Sequence, residues 1–387
     1  MSAIKPPPKD AYVGMEEYGS VSPGIGGRLK EEPGDFIVEE IASDGRLISL
    51  EGDVPGDMTP GDYTHFTIVK KNWETNRAIK EIAKRLGVSA GRFAFAGTKD
   101  KRAVTAQEVS VYQVPIERLT QVNIKDITLK DFTYQDENIG LGSLWGNRFK
   151  IRVRGISADA EKRINDIAGE LAAGFSNYYG HQRFGDVRPI THEVGKLMLF
   201  GDYKAAVLAY LTRSFGWEGG DVETARAELA KSGDFRAALR DYPLNLGYET
   251  AMLNHLVQHE GDYIGAIRTL PKSLQKMFVH AYQSHVFNRA LSECIRRKLA
   301  VETLPLVGVD VGADDISAKI LAADGIKVED FRLEGMGELK SKGEYRSCFG
   351  HPHELIWGVT GCDAVFDFRL QKGSYATVLL REFMKNS

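Results

Sequence analysis

FAFAGTKDKRAVTAQEVSV, Phe93 to Val111, is the stretch on which the reading of this chain turns. Phe93-Ala94-Phe95-Ala96 is short, apolar and aromatic-rich, as a buried strand is. Gly97 breaks it before the charged run Lys99-Asp100-Lys101-Arg102. From Val104 to Val111 β-branched residues return, interrupted by Gln107 and Glu108. Strand, glycine turn, charged tip and strand predict a tip held at a rigid, exposed edge. Asp100 stands there between two lysines, whose positive charges favour a carboxylate at that place. Such a group is a poor general acid but can act as a nucleophile or as the partner of a developing cation. The competing reading is a solvated turn whose alternating charges pair with one another.

Upstream, residues 63–69 (YTHFTIV) read as a strand with Phe66 and Ile68 on one face and Thr67 and Val69 on the other. Thr75 is placed to cap a helix running to Leu86, with an apolar stripe of Ala78, Ile79, Ile82, Ala83 and Leu86 ended by Gly87. Its other face carries Arg77, Lys80, Lys84 and Arg85. Further back, Lys30 precedes the turn Pro33-Gly34-Asp35 and the strand-like Phe36-Ile37-Val38-Glu39-Glu40. Downstream, residues 144–154 (LWGNRFKIRVR) alternate with period two. Asn147, Phe149, Ile151 and Val153 face one way and Arg148, Lys150, Arg152 and Arg154 the other, so an amide and an aromatic ring project together.

The formal charge of −3 over 387 residues argues, by itself, against a nucleic-acid partner. Its distribution argues the reverse. Residues 70–102 hold ten Lys or Arg against Glu74, Glu81 and Asp100, while acidic residues gather at 51–62, 218–228 and 310–334. A positive field around Asp100 suits an anionic polymer. With 43% hydrophobic and 27% charged residues the composition is that of a globular protein of two or three domains. No apolar run approaches a membrane span and the amino terminus lacks an apolar signal core, so a cytoplasmic location is expected. Cys294, Cys348 and Cys362 form neither a disulfide framework nor a metal pattern. His255 and His259 are spaced as helical metal ligands, but nothing nearby completes a site. Residues 23–27 (PGIGG) fail as a phosphate loop because GxGxxG requires glycine where Leu29 stands, and TKD lacks the spacing of a TKxD base-recognition motif.

The remaining chain supplies the frame. The first nineteen or so residues, with Pro6-Pro7-Pro8, read as a poorly ordered or surface-lying lead-in. Ser157 precedes a helix to residue 173. Asn177-Tyr178-Tyr179-Gly180-His181-Gln182-Arg183-Phe184-Gly185 changes the texture to an aromatic, amide-rich loop. Residues 192–297 read mostly helical, 301–330 weakly strand-like, 364–370 as a strand and 373–384 as a closing helix.

GTKDKRAVTAQ (97–107) resembles the signature of the TruD family of tRNA pseudouridine synthases. LKEEPGDFIVEE (29–40), GNRF (146–149), NYYGHQRFG (177–185) and GSYATVLLRE (373–382) resemble the same family, in its order, across nearly the whole chain. The resemblance implies an α+β fold: a catalytic domain of residues 1–174 and 346–387, with a mixed, largely antiparallel sheet flanked by helices. It also implies an inserted, mostly helical domain of residues 175–345, with a cleft between the two for RNA. It further implies isomerisation of uridine at position thirteen of tRNA, with Asp100 as nucleophile. Lys30 would approach the active site, Asn147 and Phe149 would line the uridine pocket, and Lys99 and Arg102 would contact substrate. His181, Gln182 and Arg183 either touch RNA or stitch the domain junction. No metal, organic cofactor or membrane is implied, and the protein is taken as a monomer with tRNA as its partner. A non-catalytic RNA-binding or RNA-chaperone protein of the same architecture is the alternative.

Overall fold

Alternating side chains build the sheet that carries the charged stretch. In the computed structural model, which describes residues 4–52, 59 and 61–386, one sheet contains nine strands. They are β1 (Gly26–Arg28), β2 (Phe36–Ala42), β3 (Tyr63–Lys71), β4 (Phe93–Phe95), β5 (Val104–Tyr112), β6 (Ile127–Gln135), β7 (Leu144–Ile156), β8 (His353–Thr360) and β9 (Asp363–Gln371). Their order is β8-β9-β7-β2-β5-β3-β6, with β1 beside β7 and β4 beside β5. β2 and β5 run parallel and the other pairs antiparallel. Most of the acidic stretch 51–62 lies outside the described residues.

Register decides which side chains share a face, because a shift of one residue would turn every one of them over. Phe36 pairs with Ile151, Val38 with Phe149 and Glu40 with Asn147. Val38 also pairs with Thr105, Thr105 with Lys70, Gln107 with Ile68, and Phe149 with Phe368. All of these therefore project from one face. The opposite face is a charge lattice in which Arg148 donates to both Asp367 oxygens at 2.9 and 2.7 Å and lies 3.4 Å from Glu39. Arg152 pairs there with Asp363 and Arg46 with Glu108. The alternation expected for 144–154 is thus the alternation of β7, with Ile151 and Val153 fully buried and Lys150 and Arg152 exposed.

The helix Thr75–Leu86 covers the first face, burying Ala78, Ile79, Ile82, Ala83 and Leu86 against Phe66, Ile68 and Val109. Each large side chain so buried contributes about 1.5–3 kcal/mol. Gly87 closes the helix at φ 64, as expected. Its cap differs from the expectation. Glu74, not Thr75, is the N-cap, accepting from Asn76 N and Arg77 N at 2.9 and 2.8 Å. Thr75 is thereby left with its hydroxyl available for another use. The closing helix Ala376–Met384 packs Phe383 against Phe366 of β9 at 5.0 Å between rings.

Contacts divide the described chain into two units, residues 20–175 with 350–386 and residues 4–19 with 176–349. The second is organised around the helix Lys272–Arg296, approached so closely by Thr191–Leu199 that a Cβ on Gly195 would lie 2.0 Å from Phe278 O. The lead-in is not surface-lying. Val13 and Met15 are 0% and 1% exposed, and Asn288 Nδ2 and Ser292 Oγ donate to Val13 O and Gly14 O. Two apolar side chains flanking a glycine at φ 83 let the backbone press onto the helix. Within 301–330 only Thr303–Leu306 is a strand; Asp315–Asp324 is a helix, because Asp314 caps it by accepting from Ser317 N. Among the described residues no helix is long and apolar enough to cross a membrane.

Gly146, directly before Asn147, pairs with Gln371 across the β7–β9 pair, and a Cβ there would fall 2.0 Å from Leu370 O. Gly146→Ala is expected to destabilise the sheet unit by roughly 1–3 kcal/mol or more, seen as a lower urea midpoint. Gly34→Ala, where a Cβ meets nothing within 4 Å, serves as the control and should stay within about 0.5 kcal/mol. Equal midpoints for the two variants would contradict the strand register.

Candidate active site

The hairpin expected around Asp100 opens instead of closing. β4 pairs only with the Val109–Val111 end of β5, and the lane beside Val104–Ala106 is taken by β2. Residues 96–103 therefore leave the sheet as a loop, and side chains of the covered face hold it in place. Gln107 Nε2 donates to Gly97 O at 2.8 Å. Thr75 Oγ1 accepts from Lys99 N at 3.0 Å and donates to Gln107 Oε1 at 3.2 Å. Lys70, with no exposed surface, donates from Nζ to Trp73 O, Asp100 O and Lys99 O at 2.8, 3.1 and 3.5 Å.

Lys99 does not turn outward. Its side chain turns inward and forms a buried ion pair with Glu40, whose other oxygen accepts from Glu108 N. Lys101 is exposed, and the exposed Arg102 reaches back to Glu31 O at 3.1 Å. The cation that meets Asp100 comes from seventy residues upstream. Lys30 Nζ donates to Asp100 Oδ1 at 3.0 Å, with the carboxylate side chain 27% exposed and Lys30 19%. The same ammonium lies 4.1 Å over the ring of Phe36. Phe36 meets Phe149 edge-on at 6.2 Å, and Phe149 stacks on Phe368 at 5.5 Å.

Lys30, Asp100, Phe36 and Phe149 are thus one contiguous group, and Asn147 flanks it two residues along β7. Asn147 Oδ1 is buried without a hydrogen-bond partner among the described residues, which leaves an acceptor for an incoming donor. Phe149 is 8% exposed and packed between two rings, so it forms a wall of this group. Chemically the group offers a carboxylate fixed in direction, a cation beside it, an aromatic wall and an unused amide oxygen. His255 is bound to Asp262 at 2.8 Å, and no cluster of three metal-ligating side chains occurs among the described residues.

Lys70 and Thr75 lie outside the quoted motifs, and Glu40 and Gln107 close two of them with no role assigned, but the two charged residues leave a trace in the alternation. Lys70 stands in phase with Phe66 and Ile68, and Glu40 in phase with Phe36 and Val38. A lysine or glutamate in the core phase of a strand signals a buried charge with a task.

A family model described as tRNA pseudouridine synthase D (TruD) matches residues 12–308 and 294–383. A protein of Methanosarcina barkeri named tRNA pseudouridine synthase D is 34% identical over 98% of each chain. One of the same name from Methanopyrus kandleri is 39% identical over 84% of this chain and 86% of the other. A crystal structure titled as the TruD of Methanosarcina mazei superposes with a TM-score of 0.78 at 32% identity, covering 100% of this chain and 99% of that one.

The buried ammonium makes a pH prediction. Burial pulls Lys70 from its ordinary 10.5 down to about 8, against the upward pull of Asp100 and Glu74. Between those values the unfolded chain holds a proton that the folded chain has released, so stability rises with pH through that window and the contribution is flat below it. Relative to Lys70→Met, the wild-type protein should gain on the order of 3 kcal/mol between pH 8 and 10.5 in urea titrations. A difference that does not change with pH would refute the shifted lysine.

Proposed function

The chain belongs to the TruD family of tRNA pseudouridine synthases, and from that premise we propose that it isomerises uridine 13 of tRNA to pseudouridine with Asp100 as the nucleophile. Isomerisation breaks the bond from ribose C1′ to N1 of uracil and makes one from C1′ to C5. A proton leaves C5 and one is gained at N1, so the reaction needs no outside reductant or co-substrate. Between the two bonds the base is detached and has to be held while it turns. The observation that carries the proposal is the contact chain from the Asp100 carboxylate through Lys30 and Phe36 to Phe149.

The parts suit the task. Asp100 keeps one carboxylate oxygen on Lys30 and has enough exposure to meet a nucleoside, attacking either the sugar or the base. Asn147 Oδ1 can accept the uracil N3–H while its amide donates to a neighbouring carbonyl, a pairing that reads uracil's edge. Phe149, backed by Phe36 and Phe368, bounds the space in which the base rotates. Extruding the uridine from its stack costs a few kcal/mol, which phosphate contacts to exposed cations such as Lys80, Lys84 and Lys101 would offset. Lys99 and Lys70 serve the loop and not the RNA.

Asp100→Asn preserves the acceptor for Lys30 and removes the nucleophile. It should lower pseudouridine formation on unmodified tRNA by on the order of a thousandfold or more while tRNA affinity stays within about threefold. Carbodiimide-dependent primer extension and fluorescence anisotropy give the two readouts, and a variant of near wild-type rate would sink the role. Phe149→Ala would cost about 3–5 kcal/mol of packing between two rings, so Phe149→Leu is the sharper probe of the wall. It should slow single turnover at least tenfold with the protein still folded; an unchanged rate would remove Phe149 from the pocket.

A further inference from the structure

Within the unit of residues 176–349, a cavity of about 390 Å³ is lined by Arg183, Lys276, His280, Lys340, Lys342 and Glu344. These come from three separate stretches of sequence, and four of them are permanent cations against a single carboxylate. None of the four cations has an ion-pair partner among the described residues, although Arg and Lys elsewhere in this unit are repeatedly paired, as Arg226 is with Glu218 and Glu249. Arg183 Nε is buried and without a hydrogen-bond partner among the described residues. His280 is pushed below its ordinary pKa by desolvation and then by Arg183 and Lys276, which registers the positive potential inside. Unpaired cations converging on one concavity are an electrostatic cost to the free protein that an anion relieves.

The lining also says which anion. Tyr179, the aromatic residue of the wall, is 5% exposed and already carries the guanidiniums of Arg183 and Arg346 at 5.1 and 4.0 Å from its ring centre. That face is taken, and the other ring of the wall, the imidazole of His280, stands beside Arg183 and Lys276, so the pocket is matched to charge ahead of nucleobase identity. The amide of Gln283 and the hydroxyl of Ser341 bond to each other, and Gln283 also donates to Val307 O, so neither is free to read a base edge. A free nucleotide would leave its base unrecognised, whereas a polymer brings a phosphate whose neighbours bind elsewhere.

We propose that this pocket binds a backbone phosphodiester of the tRNA, as an anchoring subsite separate from the residues that handle the uridine. The inference rests on the tRNA reading above. It also resolves the two roles open to the 177–185 segment: His181 bonds Asp10 at 2.7 Å and so fastens the amino-terminal segment, while Arg183 serves the pocket.

The test is the triple variant Lys276→Gln/Lys340→Gln/Lys342→Gln, whose substituted side chains are all solvent-exposed. KM for tRNA should rise about tenfold while kcat at saturating tRNA stays within about twofold. Binding titrated from low to high salt should show a slope of log K against log salt shallower by about one, as loss of a phosphate contact requires. Lys231→Gln, an exposed lysine of the same unit outside the pocket, should change neither. An unchanged KM and slope in the triple variant would overturn the proposal. So would saturable binding of inorganic phosphate or uridine monophosphate that the triple variant loses while its KM for tRNA stays at the wild-type value. Measuring the salt slope also in Asp100→Asn protein separates the two claims, since binding there decides the pocket whether or not pseudouridine is formed.

Discussion

Lys70 brings an ammonium to a place water does not reach, and three backbone carbonyls make that tolerable. The count is chemically apt. A protonated lysine has three N–H donors, one for each of Trp73 O, Lys99 O and Asp100 O, whereas a neutral amine has two and would turn a lone pair toward the third. Two of those carbonyls belong to Lys99 and to Asp100 itself, so the position of Asp100 depends on a side chain with no exposed surface. Thr75 and Gln107 complete the restraint from the helix and from β5. A loop held at Gly97, Lys99 and Asp100 has lost most of its conformational freedom before any ligand arrives, which is the condition for a reacting group to be useful.

The charge around Asp100 is organised by depth. Lys99, adjacent in sequence, is neutralised by Glu40 in the interior; Lys30, distant in sequence, is the cation in contact. Lys30 itself sits at φ 56, a left-handed backbone that costs a non-glycine residue about 1 kcal/mol or more. Its ammonium gains both a carboxylate and the face of Phe36 in that conformation. Strain at one residue is thereby coupled to the link between the acid and the aromatic wall. A lysine in an ordinary extended conformation would aim its side chain elsewhere and leave Phe36 and Asp100 unconnected.

Much of this was legible in the sequence because period-two alternation is a strict rule. It placed Asn147 with Phe149 on one face of β7 and the arginines on the other, and the 3.6-residue stripe identified the helix Thr75–Leu86 and its end at Gly87. Side-chain partners were less accessible. Nothing local distinguishes Lys99, which turns inward, from Lys101, which does not; the difference is made by Glu40 on a strand brought alongside by the fold. Thr75 looked like a cap because it precedes an apolar stripe, yet Glu74 takes that role and frees the hydroxyl for Lys99 N. The lead-in was misjudged because its three prolines and charges outweighed Val13 and Met15, whose burial depends on a glycine between them.

Counting cations along the chain had a matching weakness, and it works in both directions. The run of ten between residues 70 and 102 overstates the surface available to RNA, since Lys70 and Lys99 are consumed inside the fold. The opposite error hides the cavity of Arg183, Lys276, Lys340 and Lys342, whose members are too far apart in sequence to register as a cluster and lie near acidic segments that mask them. A net charge of −3 is therefore compatible with two cationic sites of different origin. One is gathered by a contiguous stretch and partly spent on positioning a loop. The other is assembled by tertiary structure alone, and its four cations share a wall with the single carboxylate of Glu344 without forming an ion pair among the described residues.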